Sequence, residues 1–287
     1  MVEDGHGGRS ARLRAFFARY VTARAGVQDP RIEAAFAAVP REDFAGPGPW
    51  SVAVPGFGYI RTPDDDIAFL YQDTLLAIDP ARGINIGEPS LHARCLEALT
   101  LEHGETVLQV GAGVGYYTAI LAQLAGEEGR VCGFEIEPDL ATRAALNLAG
   151  LAGVEVQARS GIAAGLPRAD AIYVNAGAPA PIRFWLDALL PGGRLVFPLQ
   201  ASGAFGAMLR VQRPRRGAAW PARFICTAGF IPCQGSQDEE LERRLAAAFA
   251  DGGWQAVRSL RLDKPAEATC WFAGEGWWLS TAEAGED

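Results

Sequence analysis

Residues 107–116 read VLQVGAGVGY, a short apolar run that ends in glycines at every second position. The run has the length and composition of a buried strand, and the residues after it have the apolar spacing of a helix. Gly111, Gly113 and Gly115 leave the turn without side chains, so its backbone can approach a ligand closely. The free N–H groups at the start of the following helix complement such a ligand. The stretch therefore predicts a strand, a ligand-binding turn and a helix.

Outward from this turn, short apolar runs alternate with helical patterns. The alternation predicts βαβ units, in which helices cover both faces of a parallel sheet. The fold class expected is therefore α/β, with a Rossmann-like, doubly wound and mostly parallel sheet. Strands are expected at Thr106–Val110, Val131–Ile136, Val154–Ala158, Ala171–Val174 and Leu195–Leu199, and helices at Tyr116–Ala125, Pro138–Ala149 and Pro181–Leu190.

Glu135 follows Gly115 by 20 residues and closes the second predicted strand. A carboxylate at that strand end can accept hydrogen bonds from both hydroxyls of a ribose, so the turn and Glu135 predict a nucleoside-containing cofactor. Dinucleotide sites usually have the spacing G-x-G-x-x-G, which makes room for a pyrophosphate, whereas this turn is G-x-G-x-G. The spacing favours S-adenosylmethionine, and NAD(P) is the alternative.

The rest of the chain extends this core at both ends. Apolar spacing predicts helices at Ser10–Ala25 and Pro30–Val39, whereas frequent Pro, Gly and Asp at 40–82 favour a long ordered loop. We expect one domain over residues 1–287. Its parts are N-terminal helices at 1–39, a loop region at 40–90 on the side of the second substrate, a cofactor-binding core at 91–235 and a C-terminal α/β extension at 236–287.

The chain has 287 residues and a formal net charge of -8. This charge disfavours a nucleic-acid partner, because phosphate binding needs basic surface. The sequence shows no secretory signal and no apolar run of bilayer-spanning length, so we expect a cytoplasmic protein without a membrane partner. The cysteines form no CxxC pair and Asp64–Asp66 are consecutive acids on a loop, so no metal site is expected.

Several motifs resemble those of one enzyme family. They are PREDF at 40–44, YQD at 71–73, INIGEPSLH at 84–92, the glycine turn with Tyr116, and PGGRLVFP at 191–198. In this order and spacing they resemble the protein-L-isoaspartate O-methyltransferases, from about Arg31 to Pro198. The resemblance implies S-adenosylmethionine as the cofactor and a carboxylate in a peptide or protein as the methyl acceptor.

The resemblance also implies which residues bind the cofactor. Gly111, Gly113, Gly115 and Glu135 fit the family's cofactor site. His92, on an expected helix after the proline of INIGEPSLH, stands where some members place a histidine that contacts the cofactor. The alternative is a structural histidine, whose ring nitrogens form hydrogen bonds within the protein and do not contact the cofactor.

Two further candidates follow later strands. Ser160 and Gly161 stand where the family has a Gly-Asp-Gly turn that meets adenine. Asn175 follows the fourth predicted strand, at the sheet edge where ligands bind, although an asparagine before Ala-Gly is equally typical of a turn.

The chain departs from the family pattern at four positions. Gln109 replaces an acid, Ser160 replaces the aspartate of the adenine turn, and Glu88 replaces a glutamine or alanine. Gly87 replaces a serine close to the methyl-transfer centre, and a glycine offers only backbone groups in place of a hydroxyl. We therefore expect weak isoaspartyl activity. We also expect Gly87→Ser to raise it, provided that the backbone there tolerates a side chain.

The expected function is S-adenosylmethionine-dependent O-methylation of a carboxylate in a peptide or protein, divergent from isoaspartyl repair. A sulfonium methyl is already activated and a carboxylate is ionised at pH 7, so alignment can supply most of the rate and no catalytic residue is assigned. The alternatives are an isoaspartyl repair enzyme, a methyltransferase with a small-molecule acceptor, and a cofactor-binding regulatory module without catalysis. An NAD-dependent oxidoreductase is the alternative from another class.

Overall fold

The computed structural model describes residues 5–217, 219–262 and 265–285. Its α-helices are α1 (Gly5–Ala25), α2 (Pro30–Ala38), α3 (Glu42–Ala45), α4 (Pro89–Leu99), α5 (Tyr116–Ala125), α6 (Pro138–Leu148), α7 (Arg183–Ala188) and α8 (Glu239–Asp251). Its strands are β1 (Ser51–Val54), β2 (Gly58–Arg61), β3 (Leu76–Asp79), β4 (Ile84–Ile86), β5 (Thr106–Val110), β6 (Arg130–Glu135), β7 (Val154–Ala158), β8 (Ala169–Val174), β9 (Leu189–Leu199), β10 (Gly206–Gln212), β11 (Trp220–Ala228), β12 (Ser259–Arg261), β13 (Cys270–Gly274) and β14 (Trp277–Ser280).

These elements belong to two compact units. The first comprises the described residues up to Gly104 together with Ala112–Arg159, and the second comprises Glu105–Gly111 together with the described residues from Ser160 onward. The division does not test whether residues 1–287 form one domain, and the single domain stays a prediction.

The first unit begins with the two expected helices. Asp29 caps α2 by accepting a hydrogen bond from the backbone N–H of Arg31, 2.9 Å away, and Pro30 suits the first helical turn because it needs no N–H there. Phe17 of α1 and Phe36 of α2 are buried and meet edge to face, with ring centroids 6.3 Å apart. The helices therefore pack through the apolar faces that their spacing predicted.

The structure corrects the loop expected after α2. Residues 51–86 contain a four-stranded antiparallel sheet with the strand order β2-β1-β3-β4. Short 3-10 turns at Ile67–Leu70 and Pro80–Arg82 connect the later strands. These strands have only three or four residues each and are mostly half-buried. Such short, partly exposed strands show no clear alternation of apolar and polar residues, and the sequence therefore reads as loop.

The remainder of the first unit has the predicted alternation of helix and strand. α5 is followed by β6, α6 and β7, and β6 and β7 run parallel with Glu135 opposite Ala158. β6 is buried at its carboxyl end, where Phe134 and Glu135 lie. This places a carboxylate at the end of a parallel strand, as the sequence predicted.

In the second unit, β5, β8 and β9 are parallel neighbours, and β10 and β11 continue the sheet in antiparallel fashion. Val110 pairs with Val174, so the carboxyl ends of β5 and β8 lie side by side. β8 is buried along almost its whole length, as expected of a parallel strand covered on both faces. α7 is shorter than expected, because the chain leaves the helix at Leu189 and enters β9.

The C-terminal extension is also α/β, as predicted. β12, β14 and β13 continue antiparallel from β11, and α8 precedes them in the chain. Phe224 of β11 packs edge to face against Phe249 of α8, Trp254 and Trp271, with ring centroids 5.4–5.8 Å apart. These rings form an aromatic core for the extension.

The structure confirms the predicted fold class, a mixed α/β Rossmann-like fold with a parallel core. Within the described part of the chain, no helix is both long and apolar enough to cross a bilayer.

Candidate functional site

The glycine turn has a left-handed backbone at three positions. The φ angle is +78° at Gly111, +58° at Gly113 and +94° at Gly115, values that L side chains rarely adopt. A Cβ atom on Gly115 would lie 2.8 Å from Leu148 Cδ1, so this glycine allows α5 to pack against α6. A Cβ atom on Gly113 would meet no atom of the described residues within 4 Å. Gly113 therefore presents a bare backbone to open space.

Glu135 lies directly beside this turn. Its Oε2 atom accepts a hydrogen bond from the Gly113 backbone N–H at 2.7 Å, and its Oε1 atom accepts one from the Glu137 N–H at 3.0 Å. The side chain is buried, and burial raises its pKa, although both N–H groups act to lower it. The predicted turn and the predicted acid are thus brought together.

This arrangement fits a nucleoside cofactor. A carboxylate has about four lone-pair sites, so two backbone hydrogen bonds leave capacity for ribose hydroxyl donors. The open face of Gly113 is the space that a Cβ atom would otherwise fill. Contact of Gly111, Gly113, Gly115 and Glu135 with the cofactor stays a prediction that this geometry supports.

His92 lies on the inward face of α4. Its imidazole is 2% exposed and stacks on the Tyr117 ring of α5, with centroids 3.6 Å apart and an interplanar angle of 12°. The Tyr117 hydroxyl donates a hydrogen bond to the Gly87 carbonyl at 2.7 Å. Burial lowers the pKa of His92 to about 3, and the charge of Arg41 acts in the same direction. The ring is therefore neutral at pH 7.

Gly87 has no room for a side chain while this ring is in place. A Cβ atom on Gly87 would lie 2.1 Å from His92 Nε2 and 2.8 Å from His92 Cδ2. Its φ angle is outside the left-handed region, so the backbone itself would accept another residue. The obstacle to a serine at position 87 is thus the imidazole and not the backbone conformation that the sequence argument considered.

Arg41 and Asp73 anchor the segment that precedes this site. The guanidinium of Arg41 is buried and donates hydrogen bonds to the carbonyls of Leu70, Gln72 and Thr74 at 2.9–3.1 Å. Oδ1 of Asp73, within the same segment, accepts a hydrogen bond from the Ser90 N–H in the first turn of α4 at 2.8 Å. Arg41 therefore fixes the segment that caps the helix carrying His92.

The remaining candidates lie in the second unit. Asn175, just after β8, accepts a hydrogen bond at Oδ1 from the Gln109 side-chain amide at 3.1 Å, and its N–H donates to the Val110 carbonyl at 2.8 Å. Ser160 Oγ accepts from the Ile162 N–H at 3.3 Å, and the Gly161 carbonyl accepts from the buried Trp185 indole at 2.8 Å. Each candidate thus has a structural contact, and cofactor binding by Ser160, Gly161 and Asn175 stays a prediction.

The comparisons with known proteins identify the family. The family model described as protein-L-isoaspartate(D-aspartate) O-methyltransferase matches residues 17–236. The chain belongs to this family. It is 33% identical over 271 residues to protein-L-isoaspartate O-methyltransferase 1 of Rhodopseudomonas palustris, covering 92% of this chain and 94% of that protein. A relative from Methanoculleus marisnigri with the same family name is 33% identical over 214 residues, or 73% of this chain and 86% of that protein.

Solved structures agree at the level of the fold. A protein-L-isoaspartate O-methyltransferase is similar with a TM-score of 0.64 and 23% identity, covering 80% of this chain and 69% of that chain. A Plasmodium falciparum protein described as a putative member, in complex with S-adenosyl-L-homocysteine, has a TM-score of 0.60 and 19% identity, covering 77% of this chain and 98% of that chain.

Family membership confirms two predictions, the O-methyltransferase class and S-adenosylmethionine as the cofactor. The relatives give no support for the expected divergence from isoaspartyl repair. They match most of this chain, and they are named protein-L-isoaspartate O-methyltransferases.

The sequence argument gave no role to Arg41, Asp73 or Tyr117. Arg41 lies in the PREDF motif and Asp73 lies in the YQD motif. The match to family motifs was the sequence signal that these two segments have a specific structural role. Tyr117 carried no such signal, because its partners Gly87 and His92 are distant in the sequence.

Proposed function

We propose that this family member transfers a methyl group from S-adenosylmethionine to a free carboxylate of a peptide or protein, with an isoaspartyl residue as the first acceptor to test. The observation that carries the proposal is the 2.7 Å hydrogen bond between the Gly113 N–H and the buried Glu135 carboxylate, beside a backbone that faces open space. The isoaspartyl acceptor is supported by the names of relatives that match over most of this chain.

The residues present suit this chemistry. The cofactor supplies a methyl group already activated by its sulfonium, so an ionised carboxylate can accept it without a general base. Glu135 would hold the ribose, and Gly113 would allow close approach of the cofactor. The chain's contribution is therefore to bind, to orient and to exclude water.

Two measurements test the proposal. Titration calorimetry should give micromolar-range binding of S-adenosylhomocysteine, as expected for a site built to hold this nucleoside. Transfer of a labelled methyl group to an isoaspartyl peptide should then exceed transfer to the matching aspartyl peptide. No binding at millimolar S-adenosylhomocysteine would contradict the cofactor site, and equal labelling of both peptides would contradict isoaspartyl selectivity.

A second candidate function has one specific observation in its favour. Gln109 stands where the family has an acid, and its amide is paired with Asn175. A chain that binds the cofactor but transfers no methyl group would act as a binding or regulatory module. Tight S-adenosylhomocysteine binding without labelling of any peptide, protein or small-molecule carboxylate would favour it. A cytoplasmic location stays a prediction for either function.

A further inference from the structure

Arg82 joins two parts of the first unit that are distant in the sequence. It lies in the short 3-10 turn between β3 and β4, where one oxygen of the Asp79 carboxylate accepts hydrogen bonds from the backbone N–H groups of Ala81 and Arg82 at 3.0 and 3.2 Å. The other oxygen accepts from Nε of Arg82 at 2.7 Å. Asp79 therefore fixes both the backbone and the side chain of this arginine.

The far end of the Arg82 guanidinium reaches the segment that follows Glu135. One terminal nitrogen donates to Oε2 of Glu137 at 3.0 Å, and the other donates to Oδ2 of Asp139 at 2.6 Å. Glu137 is the N-cap residue of α6, but its side chain accepts no hydrogen bond from the N–H groups of the described helix and is turned to the arginine. Arg82 thus links the turn between β3 and β4 to the start of α6.

Glu137 connects this salt-bridge network to the carboxylate proposed to hold the ribose. Its backbone N–H donates to Oε1 of Glu135 at 3.0 Å, while its own carboxylate is held by Arg82. Glu135 in turn accepts a hydrogen bond from the Gly113 N–H of the glycine turn. A continuous chain of contacts therefore runs from Arg82 through Glu137 to Glu135.

Arg82 is the charge that holds the acids of this network together. Its guanidinium meets the carboxylates of Asp79, Glu137 and Asp139 at 2.6–3.0 Å. Without it the acids would repel one another, and Glu137 would lose the contact that fixes its side chain. The four side chains are 31–60% exposed, so a single ion pair there would contribute little and the effect depends on the whole network.

We propose that Arg82 is a positioning residue for the cofactor, which holds Glu135 through Glu137 in the orientation that accepts the ribose hydroxyls. The inference rests on the proposed function and adds a residue that acts through another. If Glu135 is held less firmly, the cofactor must order it on binding, and this ordering reduces affinity. Arg82 should therefore affect binding of the cofactor and not binding of the acceptor.

Arg82→Gln is the main test, because glutamine keeps a polar side chain and removes the charge. We expect the Kd for S-adenosylhomocysteine and the KM for S-adenosylmethionine to rise about threefold to tenfold, while kcat and the KM for an isoaspartyl peptide stay within about twofold of wild type. Arg82→Lys restores the charge without the planar pair of donors, and should recover part of the affinity. Arg243→Gln removes an exposed arginine that pairs with Glu240, and should change none of these quantities.

A double-mutant cycle tests the route through Glu137. Glu137→Ala removes the carboxylate and keeps the backbone N–H. If Arg82 acts by holding this carboxylate, Arg82→Gln should cause a much smaller loss of affinity in the Glu137→Ala background than in the wild type. Salt should weaken the same exposed network. At about 0.5 M NaCl the wild-type affinity should approach that of Arg82→Gln, whose own affinity should change little.

The outcomes separate this inference from the proposed function. Wild-type affinity for S-adenosylhomocysteine in Arg82→Gln would overturn the positioning role and leave the proposed function intact. Equal losses in the wild-type and Glu137→Ala backgrounds would show that Arg82 acts by another route, and would also overturn the inference. A wild-type protein that binds no S-adenosylhomocysteine contradicts the proposed function before any variant is compared, and this inference fails with it.

Discussion

Gly113 donates its backbone N–H to Oε2 of Glu135 over 2.7 Å, a bond that joins positions 22 residues apart in the chain. The same carboxylate accepts a hydrogen bond from the Glu137 N–H at 3.0 Å. The side chain therefore fixes the glycine turn and the start of the segment after β6 at once. We propose that its remaining lone pairs accept hydrogen bonds from the ribose hydroxyls of the cofactor.

Glu135→Ala should weaken S-adenosylhomocysteine binding by about 1.5–3 kcal/mol, the scale of hydrogen bonds to a charged group. It should also lower the free energy of unfolding by about 1–2 kcal/mol, because two backbone N–H groups lose their acceptor. Calorimetry and urea unfolding measure the two effects separately. Glu128→Ala, on the exposed turn before β6, is the control. A destabilised protein with unchanged affinity would mean that Glu135 serves the fold alone.

The affinity for S-adenosylhomocysteine should depend on pH through Glu135. Burial raises the pKa of this carboxyl, and the ionised form accepts hydrogen bonds from ribose hydroxyls more strongly than the neutral acid does. We expect the affinity to decline on acidification, and this decline should begin above the range of an ordinary carboxyl, which is about pH 4–5. The free energy of unfolding of the unliganded protein should change in the opposite direction. Because the pKa of Glu135 is higher in the folded than in the unfolded protein, its contribution to stability increases as the pH falls through the folded-state pKa. Glu135→Gln should bind more weakly and lose this pH dependence, and a wild-type affinity that is flat down to pH 5 would contradict the assignment.

Alanine at Gly113 and at Gly115 should have different effects. Gly113→Ala places a methyl group in open space at φ +58°, so it should cost about 1–2 kcal/mol of stability and block the cofactor. Gly115→Ala would bring Cβ within 2.8 Å of Leu148 and should mainly destabilise the fold. Alanine is preferable to a β-branched residue at Gly113, because the extra backbone strain of a β-branched residue would make loss of stability hard to separate from loss of cofactor binding. Thermal unfolding and titration of the folded fraction distinguish them, and wild-type binding by Gly113→Ala would place the cofactor elsewhere.

The central fold could be predicted because its signals are local. β5 and α5 have the predicted bounds, since a full-length buried strand and a regular helix each give a clear apolar period. The antiparallel sheet at 51–86 could not be predicted in the same way. Its strands owe their order to pairing with one another, such as Val52 with Ile60 and with Leu76, and not to an apolar pattern within each strand.

The residues of the candidate site also differ in how far the sequence could predict them. Gly113 and Glu135 could be predicted, because the spacing of a glycine turn and a strand-end acid is visible in the sequence. The conflict between Gly87 and His92 could not, because it depends on the ring orientation set by stacking on Tyr117. Because the sequence does not show this ring orientation, it gave no indication that a serine at position 87 would collide with His92.

Arg41→Met should reduce the stability of the first unit and disturb the His92 helix. Arg41 is 1% exposed, and its guanidinium donates to three carbonyls of the segment 70–74. Its removal therefore leaves the buried Leu70 carbonyl and two partly buried carbonyls without this donor. We expect the free energy of unfolding to fall by about 3 kcal/mol. Arg243→Met is the matched control, since this arginine pairs with Glu240 on the exposed face of α8 and should cause no measurable change. Urea unfolding measures stability, and the near-ultraviolet signal of Tyr117 and its neighbours reports on the site. Equal stability of the Arg41 and Arg243 variants would show that the segment 70–74 holds its position without the guanidinium.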